Sequence, residues 1–246
     1  MATVTVEAMP QVPVEERARR SLGISNTAIY ELVARCIGRC HTGGGVLLDV
    51  GCGSGNLWRF VSRHFDRYVG ADAARYDEFP ADGRFIPVDL DNQRVGLADG
   101  AANVVAALEI IEHVENPRAL MRELTRLCLP GGWLIVTTPN QLSLLSKLTL
   151  ILKNQFNAFQ DSCYPAHLTA LLEVDLLRMA TECGLVGIEF DYTGHGRVPG
   201  SKQHFPGWLS RMFPRAFSDN ILLLGRKPFL PASRRNDLDR QGKIDP

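Results

Sequence analysis

Two carboxylates and one imidazole stand close together near the middle of the chain, at Glu109, Glu112 and His113. Glu109 and His113 are four positions apart and Glu112 adjoins His113, so one helical turn brings the three side chains towards the same region. Such a set suits a hard divalent cation such as Mg²⁺, which prefers oxygen ligands. The imidazole alone also suits a general base. The spacing therefore predicts proton-transfer chemistry, with or without a metal.

A second chemical feature is the run 46–56, which reads Val-Leu-Leu-Asp-Val-Gly-Cys-Gly-Ser-Gly-Asn. It predicts a short buried strand that carries Asp49, followed by a turn with glycine at every second position. Because glycine has no Cβ, we expect the backbone N–H groups of this turn to approach a ligand closely. The carboxylate of Asp49 would repel a phosphate, so it favours a ligand with an ammonium group or sugar hydroxyls. Asn56 stands where a dinucleotide site has its third glycine, and no lysine follows as in a P-loop.

Two more acids, Asp72 and Asp89, stand at the ends of the next two predicted strands. At such positions, a carboxylate like that of Asp72 can accept hydrogen bonds from both ribose hydroxyls of an adenosine. Asp89 can accept one from the exocyclic amine of adenine, and Leu90 can pack on the ring. The simpler alternatives are a helix N-cap for Asp72 and a turn residue for Asp89.

The elements that must position these residues alternate between strand and helix. Strands are predicted at 46–50, 68–72, 85–90, 104–108, 133–138, 185–192 and 220–225, the third of them at an edge of the sheet because it contains Pro87. Helices are predicted over 15–38 with a break at 23–26, from Leu57 to Phe65, from an N-cap at Asn116 to about 129, and over 141–159 and 168–183. This alternation predicts an α/β fold with a doubly wound parallel sheet, which binds ligands beyond the carboxyl ends of its strands.

Taken together, these segments resemble class I S-adenosylmethionine-dependent methyltransferases. The resemblance rests on the glycine run, Asp72, Asp89, the segment 108–114 (Leu-Glu-Ile-Ile-Glu-His-Val) and the segment 129–140, and it covers about residues 43–192. It implies a Rossmann-like sheet that is mostly parallel, with an antiparallel last strand at 220–225. It also implies S-adenosylmethionine as cofactor, bound by Asp49, Gly51, Gly53, Gly55, Asp72, Asp89, Leu90 and Glu109.

Within that family, Glu109-x-x-Glu112-His113 is similar to the metal-binding pattern of ubiquinone-type O-methyltransferases and of small-RNA 3′-terminal 2′-O-methyltransferases. This resemblance implies Glu109, Glu112, His113 and His167 as metal ligands, with Mg²⁺ as the ion. His113 and Glu112 are the predicted catalytic residues. In many small-molecule methyltransferases a similar histidine works without a metal, as a base or by orienting the substrate, and a purely structural His113 is a third interpretation.

The predicted reaction is O-methylation of a small-molecule or glycan hydroxyl. Oxygen is favoured because His113 and its carboxylate neighbours could take the proton of a hydroxyl. A glycan is favoured because the motifs Thr-Pro-Asn at 138–140 and Tyr-Pro-Ala-His at 164–167 resemble bacterial methyltransferases of polysaccharide biosynthesis. Two alternatives stay open: RNA 2′-O-methylation, and a scaffold subunit that binds the cofactor without catalysis. The chain has 27 basic and 27 acidic residues, so no net charge favours nucleic acid as a partner. Six cysteines without C-x-x-C pairs, no secretory signal and no membrane-spanning run predict a reduced, cytoplasmic protein.

The predicted organisation is a partly helical N-terminal extension at 1–40, a methyltransferase domain at 41–228 and a loose tail at 229–246. Residues 194–217 form an insert that contains four large aromatic and four basic side chains and no acidic one. Three roles suit such an insert: a lid over the acceptor, a peripheral contact with an anionic membrane, or an aromatic cap on the core.

Overall fold

The computed structural model of the 246-residue chain describes residues 23–229. Its strands are β1 (Val46–Val50), β2 (Arg67–Asp72), β3 (Arg84–Pro87), β4 (Ala102–Leu108), β5 (Cys128–Pro139), β6 (Val186–Tyr192) and β7 (Asn220–Arg226). Its helices are α1 (Thr27–Cys40), α2 (Leu57–Val61), α3 (Pro117–Leu127), α4 (Leu144–Lys153), α5 (Glu173–Glu182) and α6 (Gly207–Met212). The predictions for residues 1–22 and 230–246 lie outside the described residues.

The seven strands form one sheet in the order β3-β2-β1-β4-β5-β7-β6. The pairs among β1 to β5 are parallel, whereas β7 runs antiparallel to both β5 and β6. This confirms the predicted Rossmann-like α/β sheet with an antiparallel last strand. The chain reverses its direction of winding between β1 and β4, and such a reversal opens a crevice at the carboxyl ends of the two strands.

The sheet is covered by apolar side chains on both faces because successive residues of its central strands point to opposite sides. Leu47 and Val104 pack on the α1 side, and their neighbours Leu48 and Val105 pack on the α3 side. Helix α1 belongs to the predicted N-terminal extension, yet it buries one face against the sheet through Ile29, Leu32, Val33, Cys36 and Ile37. Two-sided burial explains why the central strands read as almost continuous apolar runs.

Several predicted elements are shorter in the structure. The helix predicted at 168–183 begins only at Glu173, because the N–H groups of Leu168 and Thr169 donate to the carbonyl of Glu112 instead of joining a helix. The helix predicted at 141–159 spans Leu144–Lys153 and ends at Asn154, whose φ of 58° is left-handed. The α-helix after the glycine run ends at Val61 and continues only as the 3₁₀ turn Ser62–His64.

Two boundaries of the sheet also differ. Strand β3 is at the edge as predicted, but it ends at Pro87, and residues 89–92 form a turn. Strand β5 begins at Cys128, five residues earlier than predicted. Helix α3 starts as expected, with the Asn116 side chain accepting from the N–H of Ala119 and Pro117 in the first turn. None of the helices within 23–229 is long and apolar enough to cross a bilayer.

Candidate active site

A cavity of about 790 Å³ opens at the carboxyl ends of the strands. We describe this cavity as two halves, named after the strands whose ends lie nearest. The β1–β2 half is lined by residues that include the start of α1, Asp49, Gly51, Gly53, Asp72 and Leu90. The β5–β7 half is lined by residues that include Asn140, Gln141, His167, Thr193, His195, Arg197, His204 and Asn220. Glu109, Glu112 and His113 also line this cavity, so both groups of predicted site residues meet in one space.

The β1–β2 half contains two buried carboxyl groups. The hydroxyl of Tyr68 donates to Asp49 over 2.9 Å, and the N–H groups of Gly53 and Ala74 donate to Asp72 over 2.7 and 3.3 Å. Burial raises the pKa of Asp49 to about 7, against the hydrogen bond from Tyr68, which lowers it. Burial likewise raises the pKa of Asp72. Because a cation would stabilise the ionised form of both acids, this half is suited to a positively charged ligand.

The glycine run has a different role from the one expected for its amides. The N–H of Gly51 donates to the carbonyl of Ala71 over 2.7 Å, and that of Gly53 donates to Asp72. A Cβ on Gly51 would lie 2.6 Å from the Ile110 side chain, and one on Gly53 would lie 2.2 Å from the carbonyl oxygen of Gly23. Both glycines have positive φ. The structure therefore requires glycine here for backbone conformation and internal packing, and the amides serve the loop itself.

Only one of the remaining three predicted cofactor residues lines the cavity. Gly55 is not among the lining residues, and a Cβ there would meet Pro80 at 2.5 Å. Leu90 lines the cavity, but Asp89 does not, because its carboxylate accepts from the N–H of Asp91 and from the Asn92 amide and so closes a turn. Asp89 is therefore a turn residue, the simpler of its two predicted roles.

Glu109 stands directly after β4 with a φ of 51°, a left-handed conformation that is strained for a non-glycine residue. Its carboxylate accepts hydrogen bonds from the hydroxyl of Thr137 over 2.8 Å and from the Asn220 amide over 2.7 Å. Burial raises its pKa to about 7. These partners tie Glu109 to β5 and β7, and it is not part of the group of possible metal ligands described next.

Glu112, His113 and His167 form that group, with one ligand atom from each lying within 4.8 Å of the others. Glu112 is fully buried: its Oε2 accepts from the Thr138 hydroxyl over 3.0 Å, while Oε1 has no hydrogen-bond partner. Burial, reinforced by the nearby carboxylate of Glu109, raises the pKa of Glu112 well above its usual range. A buried carboxylate oxygen without a hydrogen-bond partner costs free energy, and a bound ligand that contacts it would offset this cost.

The two histidine rings of this group are held in the same way. Nδ1 of His113 lies 2.7 Å from the carbonyl oxygen of Ala166, and Nδ1 of His167 lies 2.6 Å from that of Ala158. A carbonyl only accepts, so each Nδ1 carries a proton and donates it, which directs the lone pair of a neutral ring to Nε2. The rings meet edge to face at 4.7 Å. Burial lowers the pKa of His167, which favours its neutral, ligating form.

Sequence reasoning missed several residues that shape the cavity. Thr137 and Thr138 orient the two glutamates, and the available signal was a pair of threonines at the end of an otherwise apolar strand. Thr193 lines the β5–β7 half with a buried hydroxyl oxygen that has no hydrogen-bond partner. The segment 23–30 also lines the cavity, with the carbonyl of Gly23 accepting from Ser54. Nothing in the local sequence around Thr193 or Gly23 indicated a site.

The fold and the site together define a class. A sheet with β7 inserted antiparallel between β5 and β6, carrying buried acids at the ends of β1 and β2 beside a glycine turn, has the architecture of the class I S-adenosylmethionine-dependent methyltransferases.

Comparison with known proteins agrees with that class. The family model described as "Methyltransferase domain" matches residues 18–189, well over half of the chain. The chain therefore belongs to this methyltransferase-domain family.

Among curated relatives, the ubiquinone biosynthesis O-methyltransferase of Maricaulis maris is 30% identical over 113 residues, which is 43% of this chain and 44% of that protein. The enzyme of the same name from Xanthomonas oryzae pv. oryzae is 27% identical over 169 residues, 60% of this chain and 69% of the relative. The match to the first of these spans less than half the length of that relative.

Solved structures share the fold. A methyltransferase dependent on S-adenosylmethionine from Archaeoglobus fulgidus superposes with a TM-score of 0.55 at 15% identity, covering 80% of this chain and 94% of that one. Another from Mesorhizobium loti gives a TM-score of 0.53 at 15% identity, covering 80% and 97%. At this identity the likeness concerns the fold alone.

Proposed function

We propose that this methyltransferase methylates a hydroxyl group of a small-molecule or glycan acceptor. The observation that carries the proposal is the Glu112–His113–His167 group. It lines the same cavity as the buried acids Asp49 and Asp72. A sulfonium methyl is already reactive, so the protein must place the nucleophile in line and remove its proton. A hydroxyl needs that proton removed, whereas a carboxylate does not. The names of the curated relatives, which are O-methyltransferases, support an oxygen acceptor.

In this proposal His113 is the group that takes the proton. Ala166 fixes the ring through Nδ1, which leaves Nε2 to accept. Oε1 of Glu112 lies 4.0 Å from that Nε2, so an ionised Glu112 would stabilise the imidazolium that forms. Proton transfer by a positioned imidazole contributes about 10²–10⁴-fold to a rate.

The same residues fit a divalent cation. The donor set would be one carboxylate oxygen that has no other partner and two imidazoles whose Nδ1–H groups are held by backbone carbonyls, an arrangement typical of metal-binding histidines. Glu112, His113 and His167 would hold the ion, and Glu109 would stay outside. Two imidazoles suit Mn²⁺, Fe²⁺ or Zn²⁺ better than the Mg²⁺ expected from sequence. When bound, the ion would lower the pKa of the acceptor hydroxyl.

The lining of the β5–β7 half supports a hydroxyl-rich acceptor. Its polar side chains include Asn140, Gln141, Ser143, Ser146, Asn157, Thr193, His195 and His204. The unpartnered hydroxyl of Thr193 is a group that can both donate and accept. Tyr164 lines the same cavity and is exposed, which offers a flat surface to a sugar ring. These features favour a glycan or a polyol over an apolar acceptor.

The direct test is methyl transfer from labelled S-adenosylmethionine to extracts and to defined acceptors: methyl hexosides, 3,4-dihydroxybenzoate and a short RNA with a free 3′ end. We expect an O-methylated product with the glycosides or with a hydroxylated metabolite identified by mass spectrometry. Product on the RNA alone would favour the 2′-O-methyltransferase alternative. Binding of S-adenosylhomocysteine without any product would favour the scaffold alternative.

Metal removal separates the two proton-transfer schemes. After treatment with EDTA we expect turnover to fall at least about tenfold and to return with Mn²⁺ or Zn²⁺, because a Lewis acid and a well-oriented base each contribute to activating a hydroxyl. Isothermal titration of the apoprotein with Mn²⁺ measures metal binding independently of turnover. The Glu112→Gln and His167→Ala variants should show no heat of Mn²⁺ binding. An undiminished rate in EDTA, with no metal in the purified protein, would leave His113 as a metal-free base.

A further inference from the structure

Two helices expose large apolar side chains to solvent. The last turn of α4 presents Leu150, Ile151 and Leu152 in succession, with exposed fractions of 77% for Ile151 and 80% for Leu152. Helix α6 and the residue after it present Trp208 and Met212, each 63% exposed, and Phe213. A run of exposed apolar residues is costly in water and marks a surface that something covers.

These helices lie in segments that carry only positive charge. Residues 141–159 contain two lysines, residues 194–217 contain four basic side chains, and neither segment contains Asp or Glu. Arg197 pairs with Asp219, and Arg215 pairs with Glu173. The remaining four, Lys147, Lys153, Lys202 and Arg211, are exposed to solvent. The surface therefore combines protruding apolar side chains with an excess of positive charge.

The two segments are joined beside the cavity. The N–H of Leu144, at the start of α4, donates to the carbonyl of Ala216, and the Asn140 amide donates to the carbonyl of Arg215. Ser143 and Ser146 line the β5–β7 half from the α4 side, and His195, Arg197 and His204 line it from the segment before α6. Both segments thus contribute side chains to the wall of the cavity.

We propose that the end of α4 and helix α6 form a surface that docks on an anionic lipid bilayer. Tryptophan and aliphatic side chains enter the headgroup region while lysine and arginine face lipid phosphates, which is the pattern of interfacial helices. A second copy of this chain fits less well, because a symmetric contact would bring two identical positive surfaces together. A nucleic acid would use the basic residues but gains nothing from Ile151, Leu152 and Met212, which do not stack on bases.

A consequence, which rests on the proposed function, concerns the acceptor: it is a hydroxylated headgroup or a lipid-linked glycan that reaches the β5–β7 half from the bilayer. Docking itself does not depend on methyl transfer. The insert at 194–217 then acts as a membrane contact rather than only as a cap on the core.

The test is co-sedimentation of the full chain with vesicles of phosphatidylcholine alone and with about 30% phosphatidylglycerol, at about 0.1 and 0.5 M NaCl. We expect binding to the anionic vesicles, weakened by salt. The double variant Ile151→Ser, Leu152→Ser should lower the vesicle partition coefficient at least about tenfold, since both side chains lose apolar transfer energy. The matched control Leu177→Ser, Val186→Ser removes exposed aliphatic residues of α5 and β6 and should bind as the wild type does.

Tryptophan fluorescence gives a second readout, because Trp208 is exposed whereas Trp58 and Trp133 are partly buried. Anionic vesicles should shift the emission to shorter wavelength, and Trp208→Phe should abolish that shift. The proposal would be overturned if the protein did not partition into anionic vesicles, or if the control variant lost as much vesicle binding as the Ile151→Ser, Leu152→Ser variant. It would also be overturned by a dimer in solution that requires Ile151 and Leu152, or by binding to RNA instead of vesicles. A thermal shift with S-adenosylhomocysteine, run in parallel, reports the failure of the proposed function separately.

Discussion

The His113→Ala variant is expected to lose at least about a thousandfold in kcat while its Kd for S-adenosylmethionine stays within a few fold of the wild type. The reason is that His113 lines the cavity with Nε2 as its accepting atom but is not one of the residues assigned to the cofactor. The loss is large because the residue serves either as base or as metal ligand, and both roles act on the acceptor proton. Steady-state kinetics and calorimetry with S-adenosylmethionine measure the two quantities.

The matched control for this variant is His167→Ala. If His113 works only as a base, His167→Ala should retain much of its turnover and keep the same pH profile. If a metal is involved, both variants should lose turnover together with Mn²⁺ binding. Wild-type turnover in His113→Ala would remove this residue from the mechanism.

A second large effect is expected from the charge of Asp49. Its pKa of about 7 in the ligand-free protein results from burial, and a cationic ligand binds only the ionised form. The Kd for S-adenosylmethionine should therefore rise up to about tenfold per pH unit below pH 7 and become constant above it. Asp49→Asn should bind at least about tenfold more weakly at pH 8, because it loses a charged partner for the ligand.

Tyr68→Phe tests whether Asp49 is the group that titrates. The hydroxyl of Tyr68 lowers the pKa of Asp49, so its removal should move the inflection of Kd to higher pH. An unchanged inflection would assign the pH dependence to another acid, such as Asp72. Calorimetry between pH 5.5 and 8.5 measures the profile for the wild type and both variants.

The raised pKa of Asp49 also makes the free energy of unfolding depend on pH. The pKa of Asp49 rises from 3.8 in a model peptide to about 7 in the folded protein, so the folded state holds a proton that the unfolded chain releases. This contribution to the free energy of unfolding is fully present below about pH 4 and is lost as the pH rises through 7.

The position of the acids in the β1–β2 half could be predicted because local pattern and topology coincide there. A buried strand followed by a glycine turn places Asp49, Gly51 and Gly53 at the same edge of the sheet, and Asp72 follows the neighbouring strand. Asp89 is different, because whether an aspartate after a short edge strand faces a ligand or closes a turn depends on its neighbours. Here Asp91 and Asn92 provide the donors that hold it in the turn.

The Glu112–His113–His167 group was only partly predictable for a similar reason. Helical spacing suggested that Glu109 joins Glu112 and His113, but Glu109 adopts a left-handed conformation and its carboxylate is held by Thr137 and Asn220. His167, which the resemblance already implied, lies next to His113 because the N–H groups of residues 168 and 169 donate to the carbonyl of Glu112.

The sequence by itself determined the α/β class, the order of strands and helices, and the family with the cofactor that it implies. These follow from periodicity and short motifs, whose physical causes act over a few neighbouring residues. Only the tertiary structure decided that the glycine amides are used inside the loop, that Thr137 and Asn220 hold the carboxylate of Glu109, and that α4 and α6 expose large apolar side chains. Those facts depend on contacts between segments that are distant in the chain, and such contacts leave no local pattern to be read.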